Sequence, residues 1–592
     1  MEPKTRRDFL KQASALGLTG AFVPAGIRDF LTRSATTAPA GRLLQPAAFA
    51  DIMMKGELLT RAFRNYDRLE TDIYRPENDF NAGGASEGWP GDKEGRIILG
   101  LTLQAQATRR EPKYLDEIIR LIPSHVNEKG YLGPVMKDKI LEQQLSGHGW
   151  LLRGLCEHYA WKKDPQVKQH IRNIIYNLAL PTRGHHKDYP IDPGSRRKNT
   201  GEAAGTTQNT IGRWMLSSDI GCDFIFLDGV VQAYGLFPSA ELKALIEEMT
   251  DRFLQMDLIA IKAQTHATLT GLRGVLRYYE TTRRADLLSQ VEKRYALYRA
   301  GAMTENYENF NWFGRPEWTE PCAIVDSLMV AVQLWQHTGK TAYLEDAHHI
   351  YYNALGHTQR ANGGFGLDNC PGPDADVLRV NTDEAYWCCT MRGGEGLASA
   401  IRYACFTTPE AVMLPFYHNS EADLVLGGRP VRLRQETGYP FAGKMTLTVT
   451  GGSAPDNIRL GLFAPSWAGR HSLKVNGRPQ DFKTENGFLM INSVLKEGNV
   501  ITLEFDQALR TRNRVNAQHT RPGRYGISYG PLLLGYEGAG PVSLGSRPRF
   551  VRSSPREWEV EGEGTRLSTV YHLMDAKVNK ASGYQKQILF KG

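Results

Sequence analysis

Past its first 40 residues the chain has no run of the ~18 or more apolar residues that a membrane-spanning helix needs, so no span is expected there. Cysteine is scarce and odd in number. Seven in 592 residues, namely Cys156, Cys222, Cys322, Cys370, Cys388, Cys389 and Cys405, do not make a disulfide framework. No low-complexity stretch is long enough for extensive disorder, and 41% hydrophobic with 23% charged residues is an ordinary globular composition. No basic cluster accompanies the formal charge of +8; Lys and Arg are scattered, which argues against a nucleic-acid partner. A chain of this length exceeds one hydrophobic core, so at least two domains are expected.

The N-terminus reads TRRDFLKQASALGLTGAFVPAG, a pair of arginines (Arg6, Arg7) ahead of Phe9, Leu10 and Lys11, then a Gly- and Ala-rich apolar stretch. Residues 1–40 therefore resemble a twin-arginine export signal, which is set aside from fold reasoning and implies a periplasmic or secreted protein. In an oxidising compartment free thiols need a reason to persist, and metal coordination before export is one.

From about residue 45 to 410, apolar residues recur at helical spacing between short polar turns. LCEHYAWKKDPQVKQHI, VVQAYGLFPSAELKALI, VLRYYETTRRADLLSQV and LWQHTGKTAYLEDAHHI each run helix, turn, helix, which predicts stacked helical hairpins. Such hairpins form either an open solenoid or a closed ring. Irregular spacing and long insertions such as HHKDYPIDPGSRRKNTGEAAGTTQNT favour the ring, with a pocket at one end. From 411 to 592 the pattern changes to alternation: Met445, Leu447 and Val449 interleave with Thr, and Ile501, Leu503 and Phe505 follow the same rule. The expected architecture is an (α/α)6-type toroid followed by an antiparallel β-sandwich.

Two segments carry the chemistry. EWTEPCAIV places Glu320 two residues before Cys322, and AYWCCTMRGG has Cys388 and Cys389 adjacent. Three sulfurs and a carboxylate make a four-ligand set that Zn²⁺ accepts. On spacing alone, buried thiols and a vicinal disulfide remain open beside a metal site.

These segments, together with YLEDAHHIYYNALGHTQRANGG, VRLRQETGYPFAGKMTLTV, LFAPSW and ISYGPLLLGYE, resemble glycoside hydrolase family 127, the β-L-arabinofuranosidases, in order over residues 50 to 540. The resemblance implies a retaining exo-glycoside hydrolase acting on an oligosaccharide or glycoprotein glycan of plant cell-wall type. It implies zinc held by Glu320, Cys322, Cys388 and Cys389, with Cys388 as nucleophile. It implies a glutamate acid/base a little upstream, where Glu305 fits best and Glu308 and Glu317 are neighbours. It also points to His148, followed six residues later by Gly154, and to His266 as pocket histidines that bind the sugar. Tyr386 and Trp387 are candidates for a stacking wall. Where the family continues its cysteine pair with two prolines and Asn, this chain has Thr390, Met391 and Arg392, so Arg392 is expected to bring positive charge to the sugar. The same barrel also serves sugar epimerases and polysaccharide lyases, which need no thiolates, and a glycan-binding protein with structural zinc would carry the same four ligands.

Overall fold

The computed structural model describes residues 44–80, 88–196, 205–516, 518–538, 540–545 and 548–591; the export segment expected at 1–40 lies outside them. Among the described residues, the α-helices of nine residues or more are α1 (Gly56–Leu69), α2 (Asp92–Thr108), α3 (Leu115–His125), α4 (Glu142–Lys162), α5 (Pro165–Ile174), α6 (Asp223–Leu236), α7 (Ala240–Gln255), α8 (Thr265–Thr282), α9 (Ala285–Gly301), α10 (Pro321–Thr338), α11 (Thr341–His349) and α12 (Cys389–Arg402). The even-numbered helices pack each on the next, and α12 returns to α2, so the ring closes; α1 lies against both α12 and α2, and each other odd-numbered helix lies against one member of the ring. This is an (α/α)6 toroid.

Sequence decides which helices lie outside. On α3 the buried set is Leu115, Ile118, Ile119 and Ile122, and on α5 it is Val167, His170, Ile171 and Ile174. Both are single stripes at i, i+3, i+4, i+7, as a helix covered on one face requires. Inner helices are covered on nearly all faces, and α2 is buried from Ile97 through Ala105 without a break. Close approach inside the ring needs glycine: a Cβ on Gly95 would lie 2.2 Å from the backbone nitrogen of Leu151, and one on Gly154 would lie 2.6 Å from the carbonyl oxygen of Gly95. The four predicted hairpins are inner-to-outer connections. Asp164 caps α5 by accepting from the Gln166 amide, with Pro165 in the first turn, and Ser239 caps α7 by accepting from Leu242.

Two sheets follow the barrel. A seven-stranded sheet runs Arg478–Pro479, Ala468–Val475, Val500–Gln507, Lys444–Gly452, Arg429–Thr437, Ser420–Leu426, Ile52–Met54. A six-stranded sheet centres on Ala411–Leu414, Arg459–Phe463 and Phe488–Asn492. Met445, Leu447, Val449, Leu460, Leu462, Ile501 and Leu503 are buried in one apolar core that continues into the barrel. A third, ten-stranded sheet takes its strands mainly from 509–591 but borrows Asp368–Asn369 and Val377–Val380 from between α11 and α12. The pairings are antiparallel apart from Ala411–Leu414 with Arg459–Phe463 in these sheets. N-terminal strands are woven in as well: Gln45 and Pro46 pair with Thr407 and Phe406, and Ile52–Met54 pairs with Ser420–Ala422. The barrel and the β-region therefore share covalent and hydrogen-bonded seams at both ends of the helical segment.

Candidate active site

The N-terminal ends of α2, α8, α10 and α12 converge on one cavity of about 620 Å³. Helix N-termini present unpaired amide groups and a partial positive charge, which favours anionic groups such as thiolates. Glu320 is the residue that precedes α10, with Pro321 opening the helix and Cys322 in its first turn. Cys388 precedes α12 and Cys389 begins it. The hairpin Phe310–Trp312 with Arg315–Thr319 runs directly into α10 and adds Asn311 and Trp318 to the cavity wall.

The segments 320–322 and 388–389 are brought together. Cys322 Sγ lies 3.1 Å from Cys388 Sγ and 3.6 Å from Cys389 Sγ; the two adjacent sulfurs are 3.7 Å apart, and Cys388 Sγ is 3.6 Å from Glu320 Oε1. The three cysteines are free of disulfides, since an S–S bond is about 2.05 Å, and the donor atoms of all four residues lie within 4.8 Å of one another. This set could hold a metal ion. Cys322 and Cys389 are buried and Cys388 is half-buried against the cavity. Hydrogen bonds from the Cys322 and Cys389 thiols hold the Cys388 thiol well below the usual range, with Arg96 and His266 adding to this against the opposing effect of burial. Burial pushes Cys322 and Cys389 upward.

Arg96 and His266 frame the cluster. Arg96 donates to Cys322 Sγ at 3.3 Å and grips Asp92 through two bonds of 2.6 and 2.9 Å, with its guanidinium 4.5 Å from the Trp150 ring centroid. His266 stacks on Trp150 at 5.5 Å, with Nδ1 3.2 Å from Glu320 Oε1 and Nε2 3.4 Å from Asp326 Oδ2. Tyr386 and Trp387 line the cavity edge to face, with ring centroids 5.1 Å apart, and remain 43% and 45% exposed. Two large aromatic surfaces left open beside a cavity offer a platform for a sugar ring.

Other expected site residues are placed elsewhere. Glu305 is buried under the β-region: its carboxylate accepts from the amides of Val515 (2.8 Å) and Asn516 (3.0 Å) and from the Thr520 hydroxyl (2.7 Å). It clamps the 512–520 segment to the barrel and does not face the cavity. Glu308 accepts from Asn306 and Thr319 in a buried group with His357 and Asp368, and Glu317 pairs with Arg315 toward solvent. His148 lies inside α4, donating from Nδ1 to the Gln144 carbonyl at 2.8 Å and accepting at Nε2 from the Leu132 amide at 3.1 Å. Burial holds its pKa down at about 4, so it is a neutral ring with both nitrogens committed to backbone. The glycine six residues on, Gly154, serves helix packing. Arg392 is fully buried beneath the cavity, paired with Asp326 at 2.6 Å and with Glu395, its guanidinium 4.2 Å from the Trp150 centroid on the barrel side. Its charge is spent inside the barrel, so it is not a sugar contact.

Polar and aromatic cavity residues that the sequence did not single out include Asp92, Arg96, Asp219, Asn311 and Trp318. Only Asp92 and Arg96 had a readable signal, an acid and a base at i, i+4 on one helix face.

Replacing Glu305 with Ala is expected to destabilise the protein by about 2–4 kcal/mol, because it strands the buried Asn516 amide and Thr520 hydroxyl and the part-buried Val515 amide. The kcat of the surviving folded protein should stay within about twofold of wild type, as expected for a site outside the cavity. A urea denaturation midpoint measured beside a rate at saturating substrate separates the two effects.

Residues 411–507 match the family model described as the β-L-arabinofuranosidase GH127 middle domain. A 200-residue stretch is 28% identical to the non-reducing end β-L-arabinofuranosidase of Bifidobacterium longum subsp. longum, covering 32% of this chain and 28% of that enzyme. The match thus spans under a third of the relative's length. Among solved structures, a GH127 β-arabinofuranosidase superimposes with a TM-score of 0.69 at 14% identity, covering 93% of this chain and 98% of that one. A GH127 β-L-arabinofuranosidase from Geobacillus stearothermophilus T6 does so with 0.66 at 14% identity, covering 91% and 100%. Middle-domain sequence and whole-chain fold agree: residues 411–507 carry the GH127 middle domain, and the chain shares the fold of solved GH127 enzymes over nearly all of its length.

Proposed function

We propose that this protein is a retaining, exo-acting glycoside hydrolase that removes β-L-arabinofuranose or a related plant cell-wall sugar from an oligosaccharide or glycoprotein glycan, with Cys388 as nucleophile. The observation that carries this reading is the half-buried Cys388 sulfur in the cavity wall, within 3.1 to 3.7 Å of the other three donors. Glu320, Cys322, Cys388 and Cys389 would hold zinc, whose ~2.3 Å bonds to sulfur suit a tetrahedral set of thiolates and one carboxylate. When bound, zinc supplies charge that keeps the sulfurs deprotonated at neutral pH.

The chain's own residues supply the rest. Cys388 attacks the anomeric carbon from one face, forming a carbon–sulfur bond as the glycosidic bond breaks, and water later displaces the sulfur with a second inversion, so configuration is retained. Arg96 and His266 hold Cys322 and Glu320 in place, freeing Cys388 to be the member of the cluster that moves. Tyr386 and Trp387 orient the sugar at the rim. The export signal expected at 1–40 puts this activity in the periplasm or outside the cell.

One observation favours a second reading. Glu305, Glu308 and Glu317 all point away from the cavity, as in a glycan-binding protein with a structural metal. Such a protein would bind an arabinofuranosyl oligosaccharide in a calorimeter and release no sugar.

Zinc content of the reduced, mature protein, measured beside hydrolysis of an aryl β-L-arabinofuranoside, tests the proposal. About one zinc per chain with turnover is expected. Zinc without turnover keeps the site and redirects the search to other sugars or to binding; turnover in a zinc-free protein would overturn the mechanism.

A further inference from the structure

A retaining hydrolase needs a carboxyl group that gives a proton to the departing oxygen and takes one back from water. Among the described residues, the carboxylates that line the cavity are Asp92, Asp219 and Glu320. Asp92 is gripped on both oxygens by Arg96, and Glu320 belongs to the thiol cluster and touches His266. Asp219 alone has no cation paired with it among the described residues: one oxygen accepts from the Gly205 amide at a long 3.3 Å, and the residue keeps 8% exposure to the cavity.

Its backbone is firmly held. The Asp219 amide donates to Ser217 Oγ at 3.1 Å, its carbonyl accepts from Cys222 at 3.0 Å where α6 begins, and the Ser217 amide donates to Glu142 at 2.7 Å. Also in the cavity wall, Asn311 is buried with neither polar side-chain atom partnered. Such an amide is costly unless a ligand satisfies it, so this wall is built to meet a polar group.

Resting on the hydrolase reading above, we propose that Asp219 is the acid/base of the reaction. Protonated, it gives its proton to the glycosidic oxygen while the bond electrons leave with that oxygen as an alcohol and Cys388 sulfur bonds to the anomeric carbon. As carboxylate, it then takes a proton from water, whose oxygen bonds to the same carbon and expels the sulfur with its electron pair, restoring both groups. Burial, reinforced by the negative charge of Glu320, pushes the Asp219 carboxyl up to about 7, against opposing effects of the Gly205 amide and His266 and with a further small rise from Glu142. A group poised near neutrality suits both half-reactions.

The experiment compares wild type, Asp219→Asn and Asp219→Glu on two β-L-arabinofuranosides, one with a 2,4-dinitrophenyl leaving group and one with an alkyl group. Dinitrophenolate leaves without a proton and an alkoxide does not. In Asp219→Asn, kcat/KM for the alkyl glycoside should fall on the order of 10²–10⁴-fold and for the dinitrophenyl glycoside less than about tenfold. Azide, which needs no general base, should speed turnover of the dinitrophenyl substrate and give a glycosyl azide of retained configuration. Asp219→Glu should recover part of the alkyl-glycoside activity. With melting temperature and zinc content unchanged, equal losses on both substrates without azide rescue would overturn the assignment and leave the hydrolase reading standing. A wild type inactive on both substrates overturns that reading and this assignment with it.

Discussion

Cys388→Ser is expected to lower kcat on an aryl β-L-arabinofuranoside on the order of 10⁴-fold or more, since in the mechanism proposed above it removes the covalent nucleophile and with it the step on which the other groups act. Serine is nearly isosteric, but its hydroxyl is a far weaker nucleophile than a thiolate, and the hydrogen bonds from Cys322 and Cys389 that favour charge at this sulfur do not make it an alkoxide. The variant keeps Glu320, Cys322 and Cys389, so it should retain metal at reduced affinity. Chelator competition on the purified protein distinguishes this from collapse of the site. Iodoacetamide should label Cys388 first, because it is the half-buried member while Cys156, Cys222, Cys322, Cys370, Cys389 and Cys405 are buried. Substrate should protect it. Turnover that survives the substitution would mean that Cys388 is not the nucleophile.

Much of this molecule could be read from its sequence, and what could not has physical reasons. Helix periodicity and its change to alternation near residue 411 follow from burial on one stripe or one face, and they locate the barrel and the sheets. Closure of the ring was indicated by the irregular spacing and long insertions, while periodicity alone is silent on it, because closure depends on α12 packing against α2 across about 280 intervening residues. The Glu-x-Cys and Cys-Cys segments do converge, because each sits at the start of an inner helix and those starts share one end of the barrel. Glu305 was misleading: a carboxylate at a plausible linear distance gives no sign of which side of its turn it faces, and amides more than 200 residues later capture it. Arg392 was misread for a different reason: one turn along α12 from Cys388 and Cys389 keeps it on the same helix face but carries it a turn deeper, below the cavity and into the barrel, where Asp326 and Glu395 take its charge. Asp219 offered no pattern to read, being a single acid in a loop.

The charge network below the cavity leads to the second large effect. Asp228, Asp326 and Glu395 meet Arg153, Arg273 and Arg392 in the interior of the ring, all fully buried, with Arg277 at the edge. Glu395 accepts from Arg153 at 2.8 Å and from Arg273 at 3.1 Å, and pairs with Arg392 one turn back. Removing one partner of a buried network leaves an uncompensated charge, so Glu395→Ala is expected to cost about 3–5 kcal/mol. Circular dichroism at 222 nm, which reports mainly the helices, should show a lower urea midpoint at unchanged slope. The damage should also reach the cavity, since Arg392 and Arg96 both lie against Trp150, on which His266 stacks. The same network predicts acid sensitivity. Burial would raise the Asp326 carboxyl, but Arg392 and Arg273 outweigh it and bring it down to about 2 from its ordinary 3.8. A depressed carboxylate contributes stability that is fully present above the unfolded value and lost as pH falls through the folded one. That contribution should therefore disappear between about pH 4 and pH 2 in wild type. In Asp326→Asn it should be absent at every pH; an unchanged urea midpoint for Glu395→Ala would mean that the buried arginines find other partners.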